Sequence, residues 1–518
     1  MGAAAGSIAD LREVELKLAF DAVDTAALLA ALADLDADAD ADAQSASQLV
    51  STYYDDADQT LRKSGGSLRV RQADGAFIQT VKTTKGGGLF DRGEWEQPLP
   101  SADLDLEAAR NTPLKGALRK AGDLRPLFTS RVQRIAHTVI MTDGAIEAAV
   151  DIGQVETPAG QCVDLRQLEL ELKRGPPGLM FDLARSLSAG VPLRLTFNTK
   201  SGVGYALLAA SVEAARSATP RLKKAMTAGD ALQAMSRAAL RNIVDNAQIM
   251  RDRRSAVAVH QLRVGLRRLR SALTLFKPIL EDDRVASLSS ELKWLASKLD
   301  EARDTDVFIA ETYTPGAAAL SGGGGGDLPA LGALLETKRT RAYDRAIKSF
   351  NSKRSRAALI LLAEWVEIGP WLTGRTKTSA KARLTPVADF AAEALTRRRM
   401  HVLRAGAHLR RLDPDRRHKL RIAVKKLRYG VDLFATLMPQ SKVRAFRRPL
   451  KDLQETLGAL NDIAVARRRA TGHVEGAPAE LGVAAGMVVG LRAGGEADLV
   501  AKASKRFKRL KAAKPPWS

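Results

Sequence analysis

Cysteine is nearly absent: the 518-residue chain has one, Cys162, which excludes an internal disulfide framework. Aromatic residues make up only 5%, so the stacking platforms that single-stranded nucleic acid needs are scarce. Long apolar runs are missing as well. The longest near the C-terminus, LGVAAGMVVGL, falls short of the roughly 20 residues that span a bilayer. Near the N-terminus stands Asp10, where a secretory signal would place a basic segment and an apolar run. A cytoplasmic protein without a membrane partner is expected.

What the chain does have is charge, unevenly spread. Its formal net charge is +22, yet residues 1–205 carry 22 Lys and Arg against 29 Asp and Glu. All of the excess positive charge therefore lies in the remainder. Such asymmetry predicts two domains of different chemistry, the second attracting a polyanion. No recognisable RNA- or DNA-binding motif accompanies the basic half, so nucleic acid is the less favoured polyanion.

The first 200 residues read as β-rich. Alternating runs recur at 67–72, 76–82, 93–99, 145–152 and 164–173, separated by Gly, Pro, Asp and Thr clusters. Helices are expected near 24–34 and 178–189, where the apolar spacing changes from two to three or four. From about residue 205 helical patterning rich in Ala, Leu and Arg takes over. The ALSGGGGGDLP segment (319–329) reads as a flexible linker inside that helical part.

Within the strands, charge keeps one phase. In REVELKLAF, Glu13, Glu15 and Lys17 share a face opposite Val14, Leu16 and Leu18. The same holds for Arg69 with Arg71, for Arg92 with Glu94 and Glu96, and for Glu169 with Glu171 and Lys173. An ordinary solvated sheet face would explain mixed charge. Two features point instead to a closed barrel with a charged interior: these positions are charged almost throughout, and acidic and basic pairs lie on different strands. Such an interior suits a hard divalent cation at carboxylates and a phosphate chain at Arg and Lys.

These blocks, EVELK, LRVR, TVKTTKGGGLFDRGEWE, LFTSRVQR, EAAVDIGQV, LELELK and FNTKSGVGYAL, resemble in order the CYTH domains, or triphosphate tunnel metalloenzymes, over about residues 8–208. The resemblance implies an α+β domain built on an eight-stranded antiparallel β tunnel with flanking helices. It implies Mg²⁺ or Mn²⁺ held by Glu13, Glu15, Glu169 and Glu171, and a triphosphate held by Lys17, Arg69, Arg71, Lys82, Arg92, Arg134 and Lys200. Glu13, Glu15 and Lys17 would be the catalytic set. Glu94, Glu96, Glu147 and Asp151 match the remaining acidic tunnel positions. Arg131 competes with Arg134 for one position, Lys200 also reads as a surface lysine, Lys85 as a solvated charge in a mobile loop, and Tyr205 as core.

The helical part contains a repeat. HQLRVGLRRLRSALTLF (260–276) matches HKLRIAVKKLRYGVDLF (418–434), and LKWLASKLDEARDTDV (292–307) matches LKDLQETLGALNDIAV (450–465), both offset by 158 residues. Two antiparallel helical bundles related by a pseudo-twofold are expected. His260, Arg263, Arg267 and Arg270 fall within an arc of roughly 80° on one helix. His418, Arg421, Lys425 and Arg428 repeat the stripe. These blocks resemble the CHAD domain, all-helical and duplicated, over about residues 226–510, which implies polyphosphate binding by both stripes. Asp304 and Asp462 read as orienting partners of the basic residues or, slightly favoured, as helix caps.

The expected layout is a tunnel domain at 8–208, a linker at 209–225, an all-α domain of two repeated helical bundles at 226–510, and a basic tail at 511–518 that need not be ordered. The order resembles two-domain bacterial inorganic triphosphatases. The expected activity is metal-dependent hydrolysis of inorganic triphosphate to pyrophosphate and phosphate, with polyphosphate bound by the second domain and the enzyme carried to polyphosphate granules. Hydrolysis of an organic triphosphate, adenylyl cyclisation, or a non-enzymatic polyphosphate scaffold are the alternatives.

Overall fold

The computed structural model describes residues 11–35, 45–83, 88–209, 214–216, 220–320, 327–374, 376–474, 479–490 and 496–517. These divide into two compact units, one of residues 1–213 with 351–369, the other of 214–350 with 370–518.

In the first unit the strands are β1 (Leu11–Ala19), β2 (Ser45–Asp55), β3 (Gly66–Ala73), β4 (Ala76–Thr83), β5 (Asp91–Leu99), β6 (Arg125–Met141), β7 (Gly144–Glu156), β8 (Cys162–Arg174) and β9 (Arg194–Leu195). The order β5-β4-β3-β2-β6-β7-β8-β1 closes on itself because β1 also pairs with β5. That is the expected eight-stranded antiparallel ring. The two-residue β9 is an addition outside it, pairing with the second half of β1 after β5 has taken the first half.

The alternation is used in an inverted sense. Leu16, Leu18, Val150, Leu168 and Leu170 are fully buried, on the phase opposite Glu15, Lys17 and Glu169. This apolar outside is covered by helix Gly178–Gly190, which packs on β7 and β8 and buries Phe181, Leu183, Ala184 and Leu187. The charged phase consequently faces inward. The Asp74-Gly75 pair turns β3 into β4 with φ of 50° and 80°, the two-residue hairpin that such a dipeptide favours.

In the second unit the repeat is visible in the helices themselves. Helix Ala256–Leu275 and helix Pro414–Leu433 begin and end 158 residues apart, and each is capped by a side-chain oxygen, Ser255 or Asp413, accepting from the N3 amide. Equivalent residues Phe276 and Phe434 meet with ring centroids 5.9 Å apart, as residues near a twofold axis do. The second pair diverges: Arg284–Ser297 and Asp300–Phe308 are separate helices, whereas Gln440–Val474 is continuous through Pro449. Asp304 and Asp462 lie inside these helices, so neither is a cap.

Segment 353–368, which the sequence reading includes in the helical domain, is a helix that packs within the first compact unit. One further expectation needs correction. The basic tail is ordered: helix Glu496–Ala512 is followed by Trp517, whose ring meets Phe446 at 5.1 Å and whose Nε1 donates to Thr396 Oγ1 at 3.0 Å. Segment 321–326 of the glycine-rich linker and Lys85 lie outside the described residues. Among the described residues no single helix is long and apolar enough to cross a membrane.

Helix Lys200–Leu207 presents Lys200 to the tunnel and sets its Tyr205 edge-to-face on Phe128 at 5.1 Å, which stacks in turn on Tyr53 at 4.9 Å. A Cβ at Gly204 would stand 2.1 Å from the Phe128 ring. Gly204→Ala is expected to destabilise the protein by about 1–3 kcal/mol through overpacking, read as a lowered unfolding temperature.

Candidate active site and basic cavity

Two cavities gather the charged residues, one in each unit. The first is a cavity of about 350 Å³ inside the strand ring. It brings together Glu15, Lys17, Arg69, Arg71, Lys82, Glu94, Glu96, Arg134, Glu169, Glu171 and Lys200 from the residues expected by sequence. Strand register explains the convergence. Glu15 is the Cα partner of Glu171 and Lys17 of Glu169 across β1 and β8, and Glu171 faces Glu147 across β8 and β7. Lys82 faces Glu94 across β4 and β5.

At the centre lies Glu169. Its Oε1 accepts from Lys17 Nζ at 2.5 Å and from Lys200 Nζ at 2.9 Å, and its Oε2 from Arg134 Nη2 at 2.5 Å. Asp151, fully buried, accepts a two-point bond from Arg134 at 2.8 Å and pairs with Lys200 at 2.5 Å. Burial acts to raise the Glu169 carboxyl, but the charges of Lys17, Lys200 and Arg134 overcome it and hold it well below the usual carboxylate range. Burial acts to lower the Arg134 guanidinium, and its bonds to Asp151 and Glu169 raise it well above normal. Lys200 is therefore no surface lysine; it is 6% exposed.

The opposite wall is less balanced. Glu94 pairs with Lys82 at 3.0 Å and Arg69 at 3.6 Å, and Glu96 accepts from Thr80 Oγ1 at 3.1 Å. Arg71 has only a 3.4 Å contact to Ser51 Oγ, and among the described residues no carboxylate lies within ion-pair distance of it. Burial and the neighbouring Arg69 and Arg134 push its guanidinium down to about 10. A half-buried cation with no carboxylate within ion-pair distance is a ready position for an anion.

Glu147 sits beside the cavity, held by Lys173 at 3.3 Å, which also binds Glu171 at 2.9 Å. Exposed Arg131 points the other way and pairs with half-buried Glu156 at 2.8 Å. Strand alternation separates it from Arg134, three residues on. The backbones of Glu13 and Arg92 are partners across β1 and β5; their side chains lie outside the described residues. Tyr205 is core, its hydroxyl donating to buried Asp55 at 2.7 Å. Sequence reasoning missed Tyr53, Ser67, Thr199 and Ser201, which also line the cavity. Tyr53 is on β2, whose SASQLVSTYYD shows no charge alternation, so only its position opposite Arg69 reveals it.

The oxygen donors suit a hard divalent cation, and the Lys173 ammonium between Glu147 and Glu171 marks a point where positive charge is favoured. Among the described residues, however, no three carboxylate, imidazole or thiol side chains converge closely enough to enclose a metal ion. Glu169 is committed to three cations. Glu15 and Glu171 are register partners, Glu15 accepting from Lys17 Nζ at 2.6 Å and Glu171 paired with Lys173.

The second cavity, about 460 Å³, lies between the repeated helices. Arg267, Arg270 and Lys425 of the two stripes line it, joined by Lys293, Arg398, Lys426 and Tyr429, which the stripe pattern did not include. No carboxylate is among its lining residues. Burial and the charges of Arg267, Arg421, Arg263 and Arg428 push Lys425 down to about 8, and burial lowers Arg398 to about 10. Arg267 lies 4.7 Å over the Tyr429 ring. The rest of the stripes is used otherwise: Arg263 pairs with Asp300, and Arg428 contacts Asp432 at 3.7 Å. His260 is half-buried and lowered by burial and by Arg303, Arg267 and Arg263. Exposed His418 and neighbouring Arg421 do not line the cavity.

Residues 11–200 match the family described as CYTH domain, and residues 234–471 the family described as CHAD domain. The inorganic triphosphatase of Haemophilus influenzae is 29% identical over 207 residues, 38% of this chain and 55% of that protein. The chain thus spans about half the length of that relative. The crystal structure of the CHAD domain from the plant Ricinus communis is similar with a TM-score of 0.50 and 26% identity, covering 58% of this chain and 98% of that one.

Glu169→Gln is expected to destabilise the fold by about 3–5 kcal/mol at neutral pH, since it leaves three cations around a neutral amide. A carboxyl with a depressed folded pKa stabilises the fold above its unfolded pKa of about 4.5 and loses that contribution as pH falls further. The difference in unfolding temperature between wild type and variant should therefore shrink on acidification below that point.

Proposed function

Because the chain carries a CYTH domain at 11–200 followed by a CHAD domain at 234–471, we propose that it is a triphosphate hydrolase, specifically a metal-dependent inorganic triphosphatase. It cleaves tripolyphosphate to pyrophosphate and phosphate, and its helical unit binds polyphosphate. The observation that carries the reading is Arg71, a half-buried guanidinium without a carboxylate partner among the described residues, facing Lys17, Arg134 and Lys200 across a closed strand ring.

In this reading Arg71 and Arg69 hold phosphate oxygens from one wall while Lys17, Lys200 and Arg134 approach from the other. Glu169 and Asp151 keep those three cations in place before substrate arrives, so little reorganisation accompanies charge development. Mg²⁺ or Mn²⁺ at Glu15 and Glu171 would neutralise phosphate charge and polarise the cleaved linkage. The ring of strands limits water around the phosphates. A bare triphosphate suits the lining better than a nucleotide or thiamine ester. Tyr53 is the one aromatic lining residue among those described, and its ring is already stacked on Phe128 at 4.9 Å.

The helical cavity, with cations and no carboxylate, suits a longer polyanion and would carry the enzyme to polyphosphate granules in the cytoplasm. Purified protein is expected to release phosphate from tripolyphosphate only with a divalent metal. Glu15→Gln should reduce release by about 100-fold or more, several kcal/mol of lost charge stabilisation. Arg71→Gln should raise KM by about 10- to 100-fold. Undiminished turnover in either variant contradicts the assignment.

Polyphosphate affinity is expected to fall as pH rises through about 8, where Lys425 loses its proton. Lys425→Met should abolish that dependence and reduce the slope of log affinity against log salt by about one, measured by titration at several salt concentrations.

A further inference from the structure

Helix Lys353–Ile368 comes from the middle of the helical half of the sequence, yet it packs inside the tunnel-bearing unit. It lies against helix Gly178–Gly190 and strand β9. Trp365 and Val366 are fully buried. Arg185 of helix Gly178–Gly190 bonds Glu364 as well as its own neighbour Asp182. A side chain on Gly178 would stand 3.8 Å from Ile368 Cδ1. The Arg185–Glu364 ion pair makes this a specific seat for the helix.

Both elements that it touches reach the site. Helix Gly178–Gly190 packs on β8, the strand of Glu169 and Glu171. Strand β9 sets Leu195 opposite Leu18, and the next residue, Thr196, donates its N–H to the Lys17 carbonyl at 3.0 Å. At its own two ends the helical segment continues into residues of the other unit, at 350 and 370. The chain therefore passes between the units three times, and two of those passages flank this one helix. A simple tether would need one.

We propose that helix Lys353–Ile368 is a positioning element of the tunnel, holding β1 and β8 in place around Lys17 and Glu169. It is also the route by which a polyanion bound in the helical unit alters turnover in the tunnel. The proposal rests on the triphosphatase reading given above.

The test uses the full-length chain and the charge reversals Glu364→Arg, Arg185→Glu and both together. Tripolyphosphate kinetics are measured with and without long-chain polyphosphate, alongside thermal unfolding and hydrogen exchange of β1 and β8. Each single reversal should lower kcat by about 3- to 30-fold, change KM less, and remove the response to polyphosphate; the double reversal should restore both. Single variants that unfold at lower temperature but keep wild-type kcat, KM and polyphosphate response overturn it, leaving the helix a packing element only. So does a polyphosphate response that persists unchanged in Lys425→Met/Arg398→Gln, because the polyanion would then act at the tunnel itself. If the wild type does not turn over tripolyphosphate, the triphosphatase reading fails separately. Hydrogen exchange then decides: polyphosphate must change protection in 353–368 and β1, and no change there overturns the route.

Discussion

One buried carboxylate organises the tunnel. Lys17, Lys200 and Arg134 all donate to Glu169 within 2.9 Å. Without it, three cations would share a small volume, and two unit charges about 4 Å apart repel by about 4 kcal/mol at an effective dielectric of 20. With it, and with Asp151 behind, they stay ionised and aimed inward. The same arrangement constrains the substrate. In the proposed reading a triphosphate entering the ring would meet cations already fixed, and its charge would be most needed at the other wall, where Arg71 is without a carboxylate partner among the described residues.

The two cavities solve different electrostatic problems. In the tunnel, carboxylates and cations share one closed ring, so most of the cations are already paired within it. Between the repeated helices the lining is cationic only, and Lys425 and Arg398 bear the cost of burial without a carboxylate in the cavity wall. The first arrangement suits recognition of a short, fully charged substrate; the second suits a ligand that supplies many charges along its length.

Much of this was legible in the alternation of charge. Glu15 with Lys17, Arg69 with Arg71, and Glu169 with Glu171 could be placed on one side of their strands because the side-chain period of two leaves no other choice. The charge phase pointed to a closed barrel, but not to which strands close it, since nothing local announces that β1 will pair with both β5 and β8. The role of Glu169 was not readable: its three cations come from β1, β6 and helix Lys200–Leu207, and only register brings them together. Helical spacing found Arg267, Arg270 and Lys425, but Arg398 lies on another helix, Val387–Ala405, outside the repeated motif. The seat of helix Lys353–Ile368 was hidden for a related reason. Its amphipathic pattern says that it buries a face, not which unit supplies the partner.

The most direct test of the central claim is metal-dependent turnover compared across tripolyphosphate, long-chain polyphosphate, ATP and thiamine triphosphate at equal concentration. If the tunnel is built for a bare phosphate chain, kcat/KM with Mg²⁺ or Mn²⁺ will be highest for tripolyphosphate, with pyrophosphate and phosphate as products. A higher kcat/KM for ATP or thiamine triphosphate, or turnover undiminished by a chelator, would contradict it.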